Sequence, residues 1–387
     1  VEFSGPFQAV GDDKQEKNMG PPAFVALVSL AERSAGVGRS RSCRARAADE
    51  KSYSRVGYSL IQFLLGLQLE SRVGTGTEWS PELTKLTYSL AFGCKRIHRL
   101  LDMAALRDEQ FVLTRANSIM KSSLWRHNRL AVISSQQEYK ALMVGENLAE
   151  EFVCVFNPLD CYDGVKAGIP SATTFGVYRR NLSCLASNFE SKINEEEISC
   201  LQTTLQPGSS LLLAGYCTYS SATVLTLCVG SKVHIFNLDD EIGEFVLTRE
   251  NVRVPDKGYT YTFEESLMPT WSDNLQQHIL KLREQEGPFG ESYESRFIGS
   301  FVADAHRILL HGGVLGVPGD IFDCPKGSKL LVYECSPLAY IFKCAGGDST
   351  DGHGSVLDTI PSTLKQVSPI FLGSKQNVQE LVAALNG

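Results

Sequence analysis

The chain has 387 residues, of which 43% are apolar and 21% charged; these globular proportions exclude disordered, collagen-like and coiled-coil readings of the whole. A formal charge of −7 gives no global attraction to nucleic acid or an anionic bilayer, so neither is expected as a partner. No run approaches the roughly 18 apolar residues of a membrane helix, and the 11 cysteines show no CxxC pair, so a soluble protein of a reducing compartment is expected, in an organelle interior or the cytoplasm.

Val1 in place of Met reads as a processed precursor or a trimmed fragment. Residues 1–57 are rich in Gly, Pro, Ser and Ala, with Arg33, Arg39, Arg41, Arg44 and Arg46 in a stretch free of acids, and are expected to form an extended arm. From Tyr58 the apolar spacing becomes helical, with Leu60, Phe63, Leu64 and Leu67, and a second helix is predicted from Pro81 to about Leu106. Short apolar runs at 130–133, 152–156, 171–178, 210–213, 222–229 and 234–237 predict buried strands. Acids at Glu195, Glu196 and Glu197 suggest a helix start. The turn signal Pro255-Asp256-Lys257-Gly258 suggests a boundary, giving domains at 58–252 and 253–387. Beyond it a helix is predicted near 274–286, a strand, turn and helix near 296–310, a strand at 330–333 and a last helix near 377–384. Alternating strands and helices without a repeat indicate a layered α/β protein.

Five blocks carry a specific resemblance. Phe156-Asn157-Pro158-Leu159-Asp160 ends a predicted strand, and Leu213-Ala214-Gly215-Tyr216-Cys217, Leu238-Asp239-Asp240-Glu241-Ile242-Gly243 and Arg296-Phe297-Ile298-Gly299-Ser300-Phe301 follow it. The fifth is Leu331-Val332-Tyr333-Glu334-Cys335-Ser336-Pro337. In this order they resemble the fructose-1,6-bisphosphatase family, over about residues 58–387. The resemblance implies an α/β/α/β/α fold with two mixed-sheet domains, a homo-oligomer, and Mg²⁺-dependent removal of the 1-phosphate from a sugar bisphosphate.

The chemistry is read separately from the fold, because it belongs to the site. Mg²⁺ needs clustered anionic oxygens. By the resemblance, two of the family's metal carboxylates are kept as Asp160 and Glu334. The first Asp of its loop is here Asn157, and its Glu-Glu pair falls, by ungapped counting, on Gln136 and Gln137. An amide brings no charge and takes no proton from water. The Gly-Ser pair that should cradle the 1-phosphate is Cys161-Tyr162, followed by Asp163. At the sugar's other end the family's Asn and Tyr fall at Glu264 and Leu267, and its phosphate-gripping Tyr pair at Phe297 and Val317. Arg296 is kept, and Lys329 lies one place from the expected lysine. A further water-activating acid belongs near Asp108 or Glu109.

The expectation is therefore a bisphosphatase-like protein without hydrolytic activity, with no cofactor, serving as a structural or regulatory subunit of a homo-oligomer, a hetero-oligomer with a related subunit or a larger assembly. One alternative is an active Mg²⁺-dependent bisphosphatase in which Glu138, Glu146 or Asp163 replaces lost ligands. The other is a sugar-phosphate sensor that binds through Arg296 and Lys329 without turnover. Single histidines such as His306 and His311 are expected to be structural, and Cys161 an inert thiol.

Overall fold

The computed structural model describes residues 54–74, 78–125, 127, 129–144, 151–180, 201, 203–284 and 293–387. The Arg-rich stretch, Glu146 and the Glu195-Glu196-Glu197 run lie outside the described residues. Helix α1 (Leu60–Val73) starts at a reciprocal cap between Ser59 and Gln62 and stops at Gly74, whose φ of 73° suits glycine. Helix α2 (Pro81–Leu101) is capped by Ser80 and buries Leu83, Leu86, Leu90, Cys94 and Ile97 along one stripe. It ends sooner than its apolar spacing suggested, and Ala104–Leu106 form a separate 3-10 turn. Helix α3 (Glu109–Leu124), which the sequence reading left unassigned, is capped by Asp108; Thr, Asn and Ser positions dilute its apolar periodicity.

Strands β1 (Leu130–Ser135), β2 (Leu142–Met143), β3 (Phe152–Asp160), β4 (Ser171–Arg179), β5 (Leu211–Tyr219), β6 (Thr223–Val229), β7 (Lys232–Asp239) and β8 (Glu244–Val252) form one sheet in the order β2-β1-β3-β4-β5-β6-β7-β8. Strand β3 is buried along its whole length because both faces are covered. Its Phe152, Cys154 and Phe156 join a cluster with α1, α2 and α3, while Val153 and Val155 join a second cluster with the C-terminal half. Phe175, Phe236 and Phe245 are core residues.

The C-terminal half contributes β9 (Thr260–Thr262), α4 (Asp273–Glu284), β10 (Glu294–Ser295), α5 (Phe301–His311), β11 (Val314–Val317), β12 (Lys329–Leu330), α6 (Ser336–Cys344), β13 (Asp348–Thr350), β14 (Val367–Ser368), β15 (Ile370–Gly373) and α7 (Lys375–Leu385). A second sheet runs β10-β9-β11-β15-β13, and β12 pairs with β14. Helices α5 and α6 fill the layer between the sheets, and α4 and α7 cover the outer face of the second sheet through Trp271, Leu275, Ile279, Val378 and Leu381. The layers are thus α/β/α/β/α. At the Pro255–Gly258 turn, a Cβ on Gly258 would lie 2.1 Å from the Gly313 nitrogen, so this backbone crossing requires glycine.

The predicted strand at 330–333 is corrected. Only Lys329–Leu330 pair as a strand, and Leu331–Cys335 form a π turn that runs into α6. The apolar run reported burial rather than backbone conformation, since all five turn residues are buried.

Two histidines are held neutral by this packing. His234 is 2% exposed with its ring 4.7 Å from Phe63, and His306 exchanges a 2.8 Å hydrogen bond through Nδ1 with the Tyr216 hydroxyl. Burial pushes both down to about 4. A base with a depressed folded pKa stabilises the fold fully above its unfolded value and less as pH falls toward the folded value. Stability should therefore drop between about pH 6.5 and 4, by up to about 3 kcal/mol per histidine. A His306→Gln variant should show a flatter urea-midpoint profile over that range; an unchanged slope would contradict the assignment.

Candidate active site

The site is built where β1, β3 and the π turn converge. Ser135 of β1 is in register with Phe156 of β3, and the Gln136 N–H donates to the Phe156 carbonyl at 2.9 Å, which brings Gln136, Gln137 and Asn157 to one end of the sheet. A register irregularity between Asn157 and Asp160 follows. Asn157 is 1% exposed, and its Oδ1 accepts from the Leu159 N–H at 3.2 Å, so its amide closes a local turn. Asp160 accepts from the Val302 N–H at 3.3 Å, placing its charge at the positive end of α5. Glu334 accepts from the Leu330 N–H at 2.8 Å. Both acids are buried, at 6% and 4% exposure.

Between these acids sits an ammonium. Lys329 Nζ lies 3.7 Å from Asp160 Oδ1 and 3.7 Å from Glu334 Oε1, and 4.8 Å above the Phe301 ring. Burial alone would lower the Lys329 pKa, but the two carboxylates outweigh it and the ammonium is held above its ordinary value. Burial pushes Glu334 up, with Lys329 opposing. The groups that Lys329 meets are the two acids.

A second cation was not foreseen. Lys365 Nζ donates to the Gln136 carbonyl and lies 5.3 Å from the Tyr139 ring and 6.0 Å from the Tyr333 ring. Sequence offered no local signal for it, since it stands 229 positions from Gln136. Gln136 Oε1 is buried without a hydrogen-bond partner among the described residues, while Gln137 is exposed.

The donors present do not suit a divalent cation. Asp160 and Glu334 share Lys329, and among the described residues no group of three or more His, Cys, Asp or Glu could hold a metal ion. The candidate replacements that are described, Glu138 and Asp163, do not complete the set. Glu138 is taken by Lys121 at 2.5 Å and by Asn117 at 3.2 Å, and Asp163 is exposed. Asp108 caps α3, and Glu109 faces Lys166 at 3.8 Å. Cys161 adopts a left-handed backbone with φ 53°, a conformation more natural for the family's glycine. Its thiol is pushed up by burial, then by Asp160 and Asp163, which leaves little thiolate.

Arg296 and Lys329 are not brought together. Arg296 is on the surface, bonded to Glu294 through Nε at 3.0 Å and Nη2 at 2.9 Å. Lys329 instead lines a cavity of about 330 Å³ whose walls include Glu264, Leu267, Trp271, Phe297, Phe301, Val317 and Asp320.

Both halves of the architecture have known counterparts. Residues 58–250 match the family model for the N-terminal domain of fructose-1-6-bisphosphatase, and residues 254–386 match the one for its C-terminal domain. The chain belongs to the fructose-1,6-bisphosphatase family. It is 34% identical to the chloroplastic fructose-1,6-bisphosphatase of Brassica napus over 93% of this chain and 93% of that protein. Against the chloroplastic fructose-1,6-bisphosphatase 1 of Arabidopsis thaliana the identity is 35%, over 89% of this chain and 85% of the relative. The crystal structure of Leishmania major fructose-1,6-bisphosphatase in its holo form superposes with a TM-score of 0.74 at 25% identity, over 86% of this chain and 99% of that one.

Proposed function

We propose that this chain is a fructose-1,6-bisphosphatase-like protein that does not turn over sugar bisphosphates at enzymatic rates and acts as a structural or regulatory subunit of an oligomer or larger assembly. The observation that carries the reading is the Lys329 ammonium, 3.7 Å from both surviving family acids. An ammonium already stands between the two acids, and entry of Mg²⁺ would place it against a like charge. The three amide positions add to this, since no carboxylate at Gln136, Gln137 or Asn157 takes a proton from water. Chloroplastic relatives support an organelle interior.

The test is phosphate release from fructose 1,6-bisphosphate by the purified chain with Mg²⁺ or Mn²⁺. Release indistinguishable from the buffer blank is expected; turnover on the order of 1 s⁻¹ or faster, the ordinary enzymatic range, would overturn the proposal.

A second reading is the Mg²⁺-dependent hydrolysis of fructose 1,6-bisphosphate to fructose 6-phosphate. The names of the relatives support it over the first reading, whereas the donor set of this chain supports the first. It requires Lys329 to leave the acids when a cation arrives, and it predicts stabilisation of the wild-type chain by Mg²⁺. The third reading, a sugar-phosphate sensor, would have Arg296 exchange its exposed pair with Glu294, and Lys329 its acid pair, for the phosphate.

A further inference from the structure

A second cavity, of about 470 Å³, lies among α2, α3 and the turn between β7 and β8, and it shares no lining residue with the one beside Lys329. Its walls carry Lys95, Arg96 and Arg99 from α2 and Arg115 from α3, against a single described acid, Asp240. Helix geometry sets the spacing of these cations. Arg96 and Arg99 are three residues apart and share a face of α2. Arg96 Nη1 approaches the Ile119 carbonyl of α3 at 3.5 Å, and Arg115 stands one turn, roughly 6 Å, before Ile119.

Two of the four cations are neutralised. Lys95 Nζ meets Glu244 Oε1 at 2.5 Å, and Arg99 Nη2 reaches Asp240 Oδ1 at 3.5 Å, beside His98 Nε2 at 3.2 Å. The other two are not. Arg96 Nη1 is held by the hydroxyls of Ser122 at 2.9 Å and Ser123 at 3.1 Å, which fix the guanidinium and leave its charge uncancelled. Arg115 is exposed and makes no ion pair or hydrogen bond with any described residue. The negative end of α2 accounts for cations in the last turn of that helix, whereas Arg115 lies in the middle of α3, beyond the reach of either end. The field left in the cavity is positive. A guanidinium presents a planar fork of donors that matches phosphate oxygens, and two of them flanking one turn of α3 match two linked phosphates better than a single one.

We propose that this cavity binds a small anion bearing a diphosphate group, gripped between Arg96 and Arg115. The inference goes beyond the reading of the hydrolytic site, and neither depends on the other.

Calorimetric titration of the full chain with inorganic pyrophosphate and with orthophosphate tests it, with EDTA present and at about 0.15 M salt, where distant surface charges are screened. Pyrophosphate should bind measurably and orthophosphate at least about fivefold more weakly. An Arg96→Gln/Arg115→Gln double variant should bind pyrophosphate at least about tenfold more weakly than the parent, the product of two exposed charge pairs. A Lys343→Gln/Lys375→Gln variant removes the same charge from exposed positions elsewhere and should bind as the parent does. Should the arginine double variant melt early, Arg115→Gln alone, at a side chain without described partners, should still weaken binding about threefold. The proposal is overturned by no pyrophosphate binding, by equal binding of the two anions, by unaltered affinity in the arginine variants, or by an equal loss in the lysine variant.

Discussion

Lys329→Met should lower the stability of the fold by about 3 kcal/mol at pH 7, the lower end of what removing one partner of a buried ion pair costs. The lower end applies because the lysine side chain retains 24% exposure. Methionine keeps the length and the contact with Phe301 but leaves Asp160 and Glu334 facing each other without a counter-charge. Denaturant midpoints measure the loss, with Lys343→Met on the exposed side of α6 as a control expected within about 0.5 kcal/mol of the parent. Wild-type Lys329 has a raised pKa, so its contribution is complete below the ordinary lysine value and disappears as pH climbs through the elevated one, on the alkaline side. The deficit of the variant should shrink in acid, because Glu334, whose pKa is raised by burial, takes up a proton there and relieves the repulsion. Mg²⁺ or Mn²⁺ should raise the melting temperature of the variant and leave the parent unmoved. Equal metal responses in both would show that Lys329 is not the resident counter-ion.

The second large effect concerns chemistry. A Gln136→Glu, Gln137→Glu, Asn157→Asp, Cys161→Gly variant restores acids at the three amide positions and relaxes the left-handed backbone at 161. With Lys329 still in place it should remain near the blank, because the ammonium still occupies the acid pair that a cation would need. Adding Ser328→Lys and Lys329→Leu moves the cation one place toward the N-terminus, to the residue just before β12, and frees the acid pair. Mg²⁺-dependent phosphate release should then rise by about 10²-fold or more, the worth of a positioned proton acceptor. Full family rates are not expected, since Glu264, Leu267, Phe297 and Val317 leave the sugar end unlike the family's. Equal activity with and without the lysine exchange would refute the blocking role.

The fold was legible because its signals are local or repeated. The Ser59 and Ser80 caps, the turn at Pro255–Gly258 and the apolar strands from Leu130 to Val229 announce themselves within short windows. The structure brings Gln136, Gln137 and Asn157 to one end of the sheet, a grouping that counting along the chain implied. What escaped was whatever depends on direction. That Lys329 turns toward Asp160, and that Lys365 reaches Gln136, follow from the close approach of segments more than 140 positions apart. Helix α3 was missed for a different reason: its apolar residues are interspersed with Thr, Asn and Ser, and burial by the sheet decides its conformation.

The π turn at Leu331–Cys335 gives Glu334 a structural duty of its own. Glu334 holds the Leu330 amide and faces Lys329 from within a wide, buried coil. Tightening that coil by one residue would swing the side chain about 100° around the axis, stranding both the amide and the ammonium. Neutralising it would orphan them where they stand. Such an acid has architectural duties beside any chemical one, so its presence alone does not report whether the molecule hydrolyses a substrate.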